Sequence, residues 1–329
     1  TANTLVSRVD ETMTLAKEIL LEPRWDEKEF DRIKKQTIEG INRSKVNPNA
    51  ISSNVFRKLV YGENHIYSNA TSGSAESVEE ITIDDLKNFY DKNFSPSISY
   101  ITIVGDIPQA EAIQLFKPLE KAWAAKEVSI PEYPLPQQIE RSQVYFVDMP
   151  GAKQSVIRIG YLALAYDEDD YYPANVMNYK LGGSFNGNVN MILREEKGYT
   201  YGARTGFSGD RIKGTFAASS SVRTNTTLES VQIFKEEMEK YRNGIDDDGL
   251  NFTKNALIKS NARRFETLDA LLGMLNNIAD YGLPFDYVKH QEDIVKNITA
   301  DEVKQLAQKY IVPDRMIYLV VGDASTQLT

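Results

Sequence analysis

The residues that invite chemistry are Arg194 and Tyr201, seven positions apart in Leu193-Arg194-Glu195-Glu196-Lys197-Gly198-Tyr199-Thr200-Tyr201. The spacing predicts a helix over about 186–197 with Arg194 in its last turn, Gly198 stopping it, and a return strand that carries Tyr201. A guanidinium and a phenol converging on one carbonyl oxygen would hold a polypeptide and stabilise negative charge developing on that oxygen. A plainer use is open to both: Arg194 on the last helical carbonyls, Tyr201 packed on its sheet.

Other chemistries are excluded or left thin by composition. There are no cysteines, so thiolate nucleophiles, disulfides and cysteine-bound metals are absent. The two histidines, His65 and His290, are far apart, and neither H-E-x-x-H nor H-x-x-E-H occurs, so no helix offers two imidazoles on one face to zinc. Each histidine reads as structural or surface-borne. The net charge of −9 argues against nucleic acid as the main partner. No apolar run is long enough to span a bilayer as a helix. Gly182-Gly183-Ser184-Phe185-Asn186-Gly187 matches no phosphate-binding fingerprint. Asp246-Asp247-Asp248 reads as a helix start, and Tyr166 to Tyr172 as a solvated turn.

The elements that must position these residues follow from periodicity. The 329 residues, 41% apolar and 26% charged, suit about two globular domains. Helices are expected over 5–21, from a capping box of Asp26 and Glu29 towards Pro48, over about 50–61, and from Thr82 to near Asn93. Tyr100 to Val104 reads as a short strand closed by Gly105-Asp106. After Pro131, Pro134 and Pro136 the texture changes: strands at 144–147, 156–165, 199–207, 215–222 and 316–321, helices at 173–181 and through most of 226–312.

Ile81 to Asp106 and Ile298 to Asp323 match without a gap at an offset of 217, sharing a Thr cap, a proline and a Val-Gly-Asp end. The second copy has a strand-rich half before its helices; the first does not. The chain therefore reads as one and a half units, about 75 residues of the first lying upstream. The fold class expected is α+β, one sheet with helices packed on one face, built as an internal repeat.

Leu181-Gly182-Gly183-Ser184 followed by Leu193-Arg194-Glu195-x-x-Gly198 and Tyr201 resembles the insulinase-like zinc metallopeptidases, family M16. Arg24-Trp25-Asp26, Leu59-Val60-Tyr61-Gly62, Phe89-Tyr90, Ser95-Pro96 and Val104-Gly105-Asp106 occur in that family's order. The resemblance implies paired α+β domains, each with a mainly antiparallel sheet: 1–125 as the C-terminal half of a first domain, 126–142 as a proline-containing linker, 143–329 as a complete, non-catalytic second domain. It implies peptide hydrolysis at a zinc ion held by H-x-x-E-H and a distant Glu, with the Arg–Tyr pair gripping substrate from the opposite domain. Glu39, at the end of Asp31-Arg32-Ile33-Lys34-Lys35-Gln36-Thr37-Ile38-Glu39, stands where the third zinc ligand falls, although Arg32 replaces the usual acid; a solvated or ion-paired Glu is the alternative. On this reading zinc belongs to the complete protein or complex and is not held tightly by this chain alone. The partners are a peptide or protein substrate and an upstream catalytic half-domain or M16 partner subunit. The competing expectation is an inactive M16-like assembly subunit. Export of bacterial relatives points to the periplasm.

Overall fold

A computed structural model describes residues 1–136 and 138–326; Gln137 of the expected linker and the last three residues of the expected second domain lie outside them. In chain order the elements are α1 (Val9–Leu21), α2 (Glu27–Ser44), α3 (Pro48–Tyr61), α4 (Ala75–Glu80), α5 (Ile83–Asn93), α6 (Gln109–Ala122), β1 (Gln143–Asp148), β2 (Gln154–Leu162), α7 (Tyr171–Asn178), α8 (Asn188–Asn190), β3 (Thr200–Ser208), β4 (Thr215–Arg223), α9 (Thr227–Tyr241), α10 (Asp247–Asn261), α11 (Leu268–Tyr281), α12 (Tyr287–Asn297), α13 (Ala300–Tyr310) and β5 (Ile317–Gly322). They form two compact units: residues 1–42, 72–132 and 264–279 in one, residues 43–71, 133–263 and 280–329 in the other.

The caps are where sequence places them. Asp26 Oδ1 accepts the amides of Lys28 and Glu29 at 3.0 and 3.1 Å, while the Glu29 carboxylate pairs with Arg32 instead of closing a capping box. Thr82 and Asp85 form a complete capping box, and Thr299 and Glu302 repeat it 217 residues later. Asn47 caps α3 through the amides of Asn49 and Ala50, with Pro48 preorganised at the first helical position. Asp246 caps α10 through the amide of Gly249.

The first unit is helical and thinly cored. Tyr90 donates to the Leu20 carbonyl at 2.6 Å and meets Trp25 edge-on, and Lys34 donates to the carbonyls of Glu79 and Ile81. Large apolar side chains stay exposed, among them Leu15, Ile19, Phe89, Ile101 and Ile113. The strand expected over 100–104 does not form. Its copy, β5, lies hydrogen-bonded between β1 and β2, whereas the described residues of the first unit contain no strand to pair with Tyr100–Val104. A β-branched segment without a ladder leaves its backbone groups to water and stays irregular.

The second unit is built on one five-stranded sheet of order β1-β5-β2-β4-β3. β1 pairs parallel with β5; the other pairs are antiparallel. One face, carrying Ile157, Ile159, Phe216, Ala218, Tyr318 and Val320, packs on the helical layer around Met177, Leu181, Phe234 and Met238. Alternation sends Val156, Leu162, Leu319 and Val321 to the other face, where α3 covers part of the sheet with Phe56, Val60 and Tyr61. The helices thus form a full layer on one face, with α3 as a partial cover on the second. Tyr166 to Tyr172 is more than a solvated turn: Tyr166 stacks on Tyr281 at 3.9 Å, and Asp170 takes hydrogen bonds from Lys309 and Tyr310 at 2.6 Å each.

Candidate functional site

Two widened helical turns set the site. α7 runs on into a π-helical turn, Tyr179–Gly183, and α8 into another, Met191–Glu196, which holds Arg194. The wide winding shows in the Lys197 amide, which reaches the Ile192 carbonyl five residues back at 2.9 Å. Such turns recur at functional sites because they re-aim a side chain within a helix. Glycine makes the first turn possible: a Cβ at Gly182 would lie 2.6 Å from Thr205 Oγ1 and 2.7 Å from the Thr205 nitrogen. The glycine-rich loop therefore serves close packing of helix on strand.

Past Glu196 the chain reverses at Gly198, whose φ of +65° suits only glycine without strain. The return is pinned by the Tyr199 amide on the Leu193 carbonyl at 2.8 Å, and by Glu229, which accepts from Lys197 Nζ at 2.8 Å and from the Tyr199 hydroxyl at 2.7 Å. Those two hydrogen bonds, Lys197 first, hold the Glu229 carboxyl below its ordinary range.

Tyr201 sits in a β-bulge. Thr200 pairs with Val222, but the next pair is Ala203 with Ser220, so β3 carries one extra residue there. The Thr200 hydroxyl locks the bulge, donating to the Ser221 carbonyl at 2.7 Å and accepting the Gly202 amide at 3.0 Å. Tyr201 is 92% exposed and packs on no sheet face. Arg194 leans over the Phe185 ring at 4.5 Å and lies 3.4 Å from the Glu195 carboxylate. The two side chains make no hydrogen bond or ring contact with each other, so they stand as two separate groups on one helix–turn–strand unit.

The outer edge of β3 is occupied. Asn190 Oδ1 accepts the Ala203 amide at 2.9 Å, and Asn178 Nδ2 donates to the Thr205 carbonyl at 2.9 Å. Both asparagines are buried. An added strand finds those positions taken; the edge strand on the far side of the sheet is β1. Nothing in the sequence singled out Asn178 or Asn190; an Asn inside a helix carries no signal until the strand beside it is known.

The remaining candidates lie elsewhere. Glu39 is on α2, in the other unit, with its side chain exposed. His65 is 5% exposed; its Nδ1 accepts the Tyr67 amide at 3.1 Å and its ring stacks on Tyr61 at 5.1 Å, while Nε2 is buried without a partner. Burial holds its imidazole below the ordinary value, and so neutral. His290 lines a cavity of about 550 Å³ with Asp170, Asp293 and Glu302. Among the described residues no three His, Asp or Glu side chains gather as metal ligands would, so the residues present do not fit a resident zinc ion, and no step is derived through one.

The chain resembles known proteins along most of its length. A protein from Helicobacter pylori described as a non-peptidase homolog, YmxG, is 22% identical over 328 residues, 95% of this chain and 72% of that protein. The uncharacterized zinc protease SCO5738 of Streptomyces coelicolor is 22% identical over 292 residues, 86% of this chain and 62% of its own length. The crystal structure of a peptidase M16 inactive domain from Pseudomonas fluorescens superposes with a TM-score of 0.88 at 24% identity, over 97% of this chain and 76% of that one, a likeness of fold. Residues 80–257, more than half of the chain, match the model of the peptidase M16 inactive domain. The Gly-Gly turn and the Arg194–Tyr201 unit fall within the matched segment, and the chain belongs to the peptidase M16 family.

Proposed function

We propose that this chain is the non-catalytic, substrate-holding portion of an M16 zinc peptidase, the metal being supplied by an upstream segment or a partner subunit. The observation that carries the reading is Tyr201, raised on a locked bulge to 92% exposure directly after the wide helical turn that presents Arg194. An exposed phenol fixed by its backbone costs stability nothing and is available to donate to a carbonyl oxygen of a bound peptide. Arg194, braced by Phe185, supplies positive charge beside it. The exposed apolar side chains of the first unit support a further part that covers them in the complete protein.

The test is binding of a labelled, unstructured peptide to the 329-residue chain. The double variant Arg194→Gln/Tyr201→Phe is expected to weaken binding by about tenfold, the worth of one or two hydrogen bonds. Unchanged affinity overturns the reading. The chain alone, given zinc, is expected to show no chelator-sensitive cleavage; robust cleavage contradicts a non-catalytic role.

A second reading is an assembly subunit with no substrate. It is favoured by the name of the H. pylori relative, a non-peptidase homolog, and by the lack of a ligand cluster among the described residues. Failure of the chain to bind unstructured peptides at all would favour it.

A further inference from the structure

The second face of the sheet carries positive charge that is paired with no carboxylate among the described residues. Arg158 of β2 and Arg204 of β3 both pair in register with Ser219 of the strand between them, so all three lie in one row on one face. Two interstrand steps put the two arginine Cα atoms about 10 Å apart. α3 crosses the same face and brings in Arg57. Arg158 donates from Nε to Ser52 Oγ at 3.0 Å and from Nη2 to Ser53 Oγ at 2.8 Å; Arg57 donates from Nη2 to Asn54 Oδ1 at 2.7 Å. These acceptors are neutral. Arg57 Nε is buried with no partner at all. Among the described residues no carboxylate pairs with any of the three guanidiniums. Burial first, then repulsion from Arg204 and Arg57, holds the Arg158 guanidinium below its ordinary pKa.

A cavity of about 760 Å³ opens against Arg57 and Arg158. Its lining includes a single acid, Asp210, whose carboxylate already accepts the Tyr67 hydroxyl at 3.0 Å. Guanidiniums half-withdrawn from water without a counter-charge are costly, and they complement a planar carboxylate through paired N–H donors. One small anion cannot reach both ends of a row about 10 Å long; a chain in polyproline II form, with three residues per turn and a rise of about 3.1 Å each, presents acidic side chains three residues apart on one side and reaches both.

We infer that this face of the second unit binds acidic segments of an extended polypeptide, Arg57 and Arg158 taking one carboxylate at the cavity and Arg204 a second. The inference rests on the reading of the second unit as a peptide-holding surface, and it names the class of sequence held. Lysine in place of arginine would keep charge and lose the forked donors.

The test compares two labelled unstructured peptides identical except for Glu against Gln, titrated into the 329-residue chain by fluorescence anisotropy, with inorganic phosphate as competitor. The Glu peptide is expected to bind about tenfold more tightly, an advantage that falls with salt. Arg57→Gln is expected to remove most of that advantage and Arg204→Gln about half, both leaving the Gln peptide unaffected. Arg204 is exposed and has no side-chain partner among the described residues, so its variant folds and decides the matter if Arg57→Gln does not. Equal affinity for the two peptides overturns this inference and leaves peptide holding intact. Binding of neither peptide overturns both. Phosphate bound more tightly than the Glu peptide, with Glu no better than Gln, makes this a small-oxyanion site and overturns the polypeptide assignment.

Discussion

Asn178 and Thr205 hold each other by two hydrogen bonds: the Thr205 hydroxyl donates to Asn178 Oδ1 at 2.6 Å, and Asn178 Nδ2 donates to the Thr205 carbonyl at 2.9 Å. Both residues are buried, so the pair fixes the end of α7 to the outer edge of β3 with no water to substitute for either partner.

Removing one side of that pair strands the other. Asn178→Leu leaves the Thr205 carbonyl and hydroxyl without these partners and is expected to cost about 1–3 kcal/mol. Urea denaturation measures it; a loss under a few tenths of a kcal/mol would show that the edge is held by other contacts.

Two glycines of this region should answer oppositely to alanine. At Gly182 the new Cβ meets Thr205 and Val189 well inside contact distance, and Gly182→Ala is expected to destabilise by about 1–3 kcal/mol. At Gly206 no atom lies within 4 Å of the new Cβ, and Gly206→Ala should stay within about 0.5 kcal/mol. Parallel thermal melts distinguish the two.

Tyr201→Phe alone removes an oxygen with no partner in the fold. Its stability should match the parent within about 0.5 kcal/mol, while peptide affinity falls by about two- to tenfold. A lowered melting temperature would mean that Tyr201 serves the fold.

His65 makes stability depend on pH in a stated direction. Its imidazole is held neutral by burial, below the unfolded value of about 6.5. Between the folded and unfolded values the unfolded chain binds the extra proton, so stability is fully present above about 6.5 and is lost as pH falls towards the folded value. His65→Asn, whose side-chain oxygen can still accept the Tyr67 amide, should flatten that slope in urea titrations between pH 5 and 7.5. An unchanged slope would assign it to other groups.

Asp170 acts lower on the scale. Hydrogen bonds from Lys309 and Tyr310, in that order, hold its carboxyl below the ordinary value. Its stabilisation is present above about pH 4 and lost as pH falls through the lowered folded value. Asp170→Asn should cost about 1 kcal/mol at neutral pH, solvent screening keeping it that small, and should remove part of the acid limb of the stability curve.

The local code was legible. Caps at Asp26, Thr82, Asp246 and Thr299 are short-range events, fixed by residues three or four apart, and each cap forms, although Glu29 turns to Arg32 and leaves the box expected at Asp26 half made. The 217-residue repeat was legible too, down to matching capping boxes. What failed was long-range. Tyr100–Val104 and Ile317–Val321 read alike, yet only the second has neighbours to complete it. At the candidate site the sequence placed Arg194 before a helix stop and Tyr201 on the returning strand. It gave no hint of the wide turns, of the bulge that lifts Tyr201, or of the asparagines that close the β3 edge, because each arises where two distant segments meet. The arginine row was hidden for the same reason, since Arg57, Arg158 and Arg204 share a face only once α3 lies on the sheet.

β5 takes an interior place in the sheet, between the edge strand β1 and β2, although it is the last of the five strands to leave the ribosome. Until it arrives β1 has no partner and β2 is paired on one side alone. The nascent chain therefore carries an open slot inside the sheet of its second unit, one strand from the edge, through the synthesis of α7 to α13. Assembly must finish by inserting a strand rather than by adding one at the rim, a long-range closure of the kind that folds slowly and exposes apolar edges meanwhile. Loss of those few residues would open the sheet from within, and quality control in the cell would meet a split core instead of a frayed end.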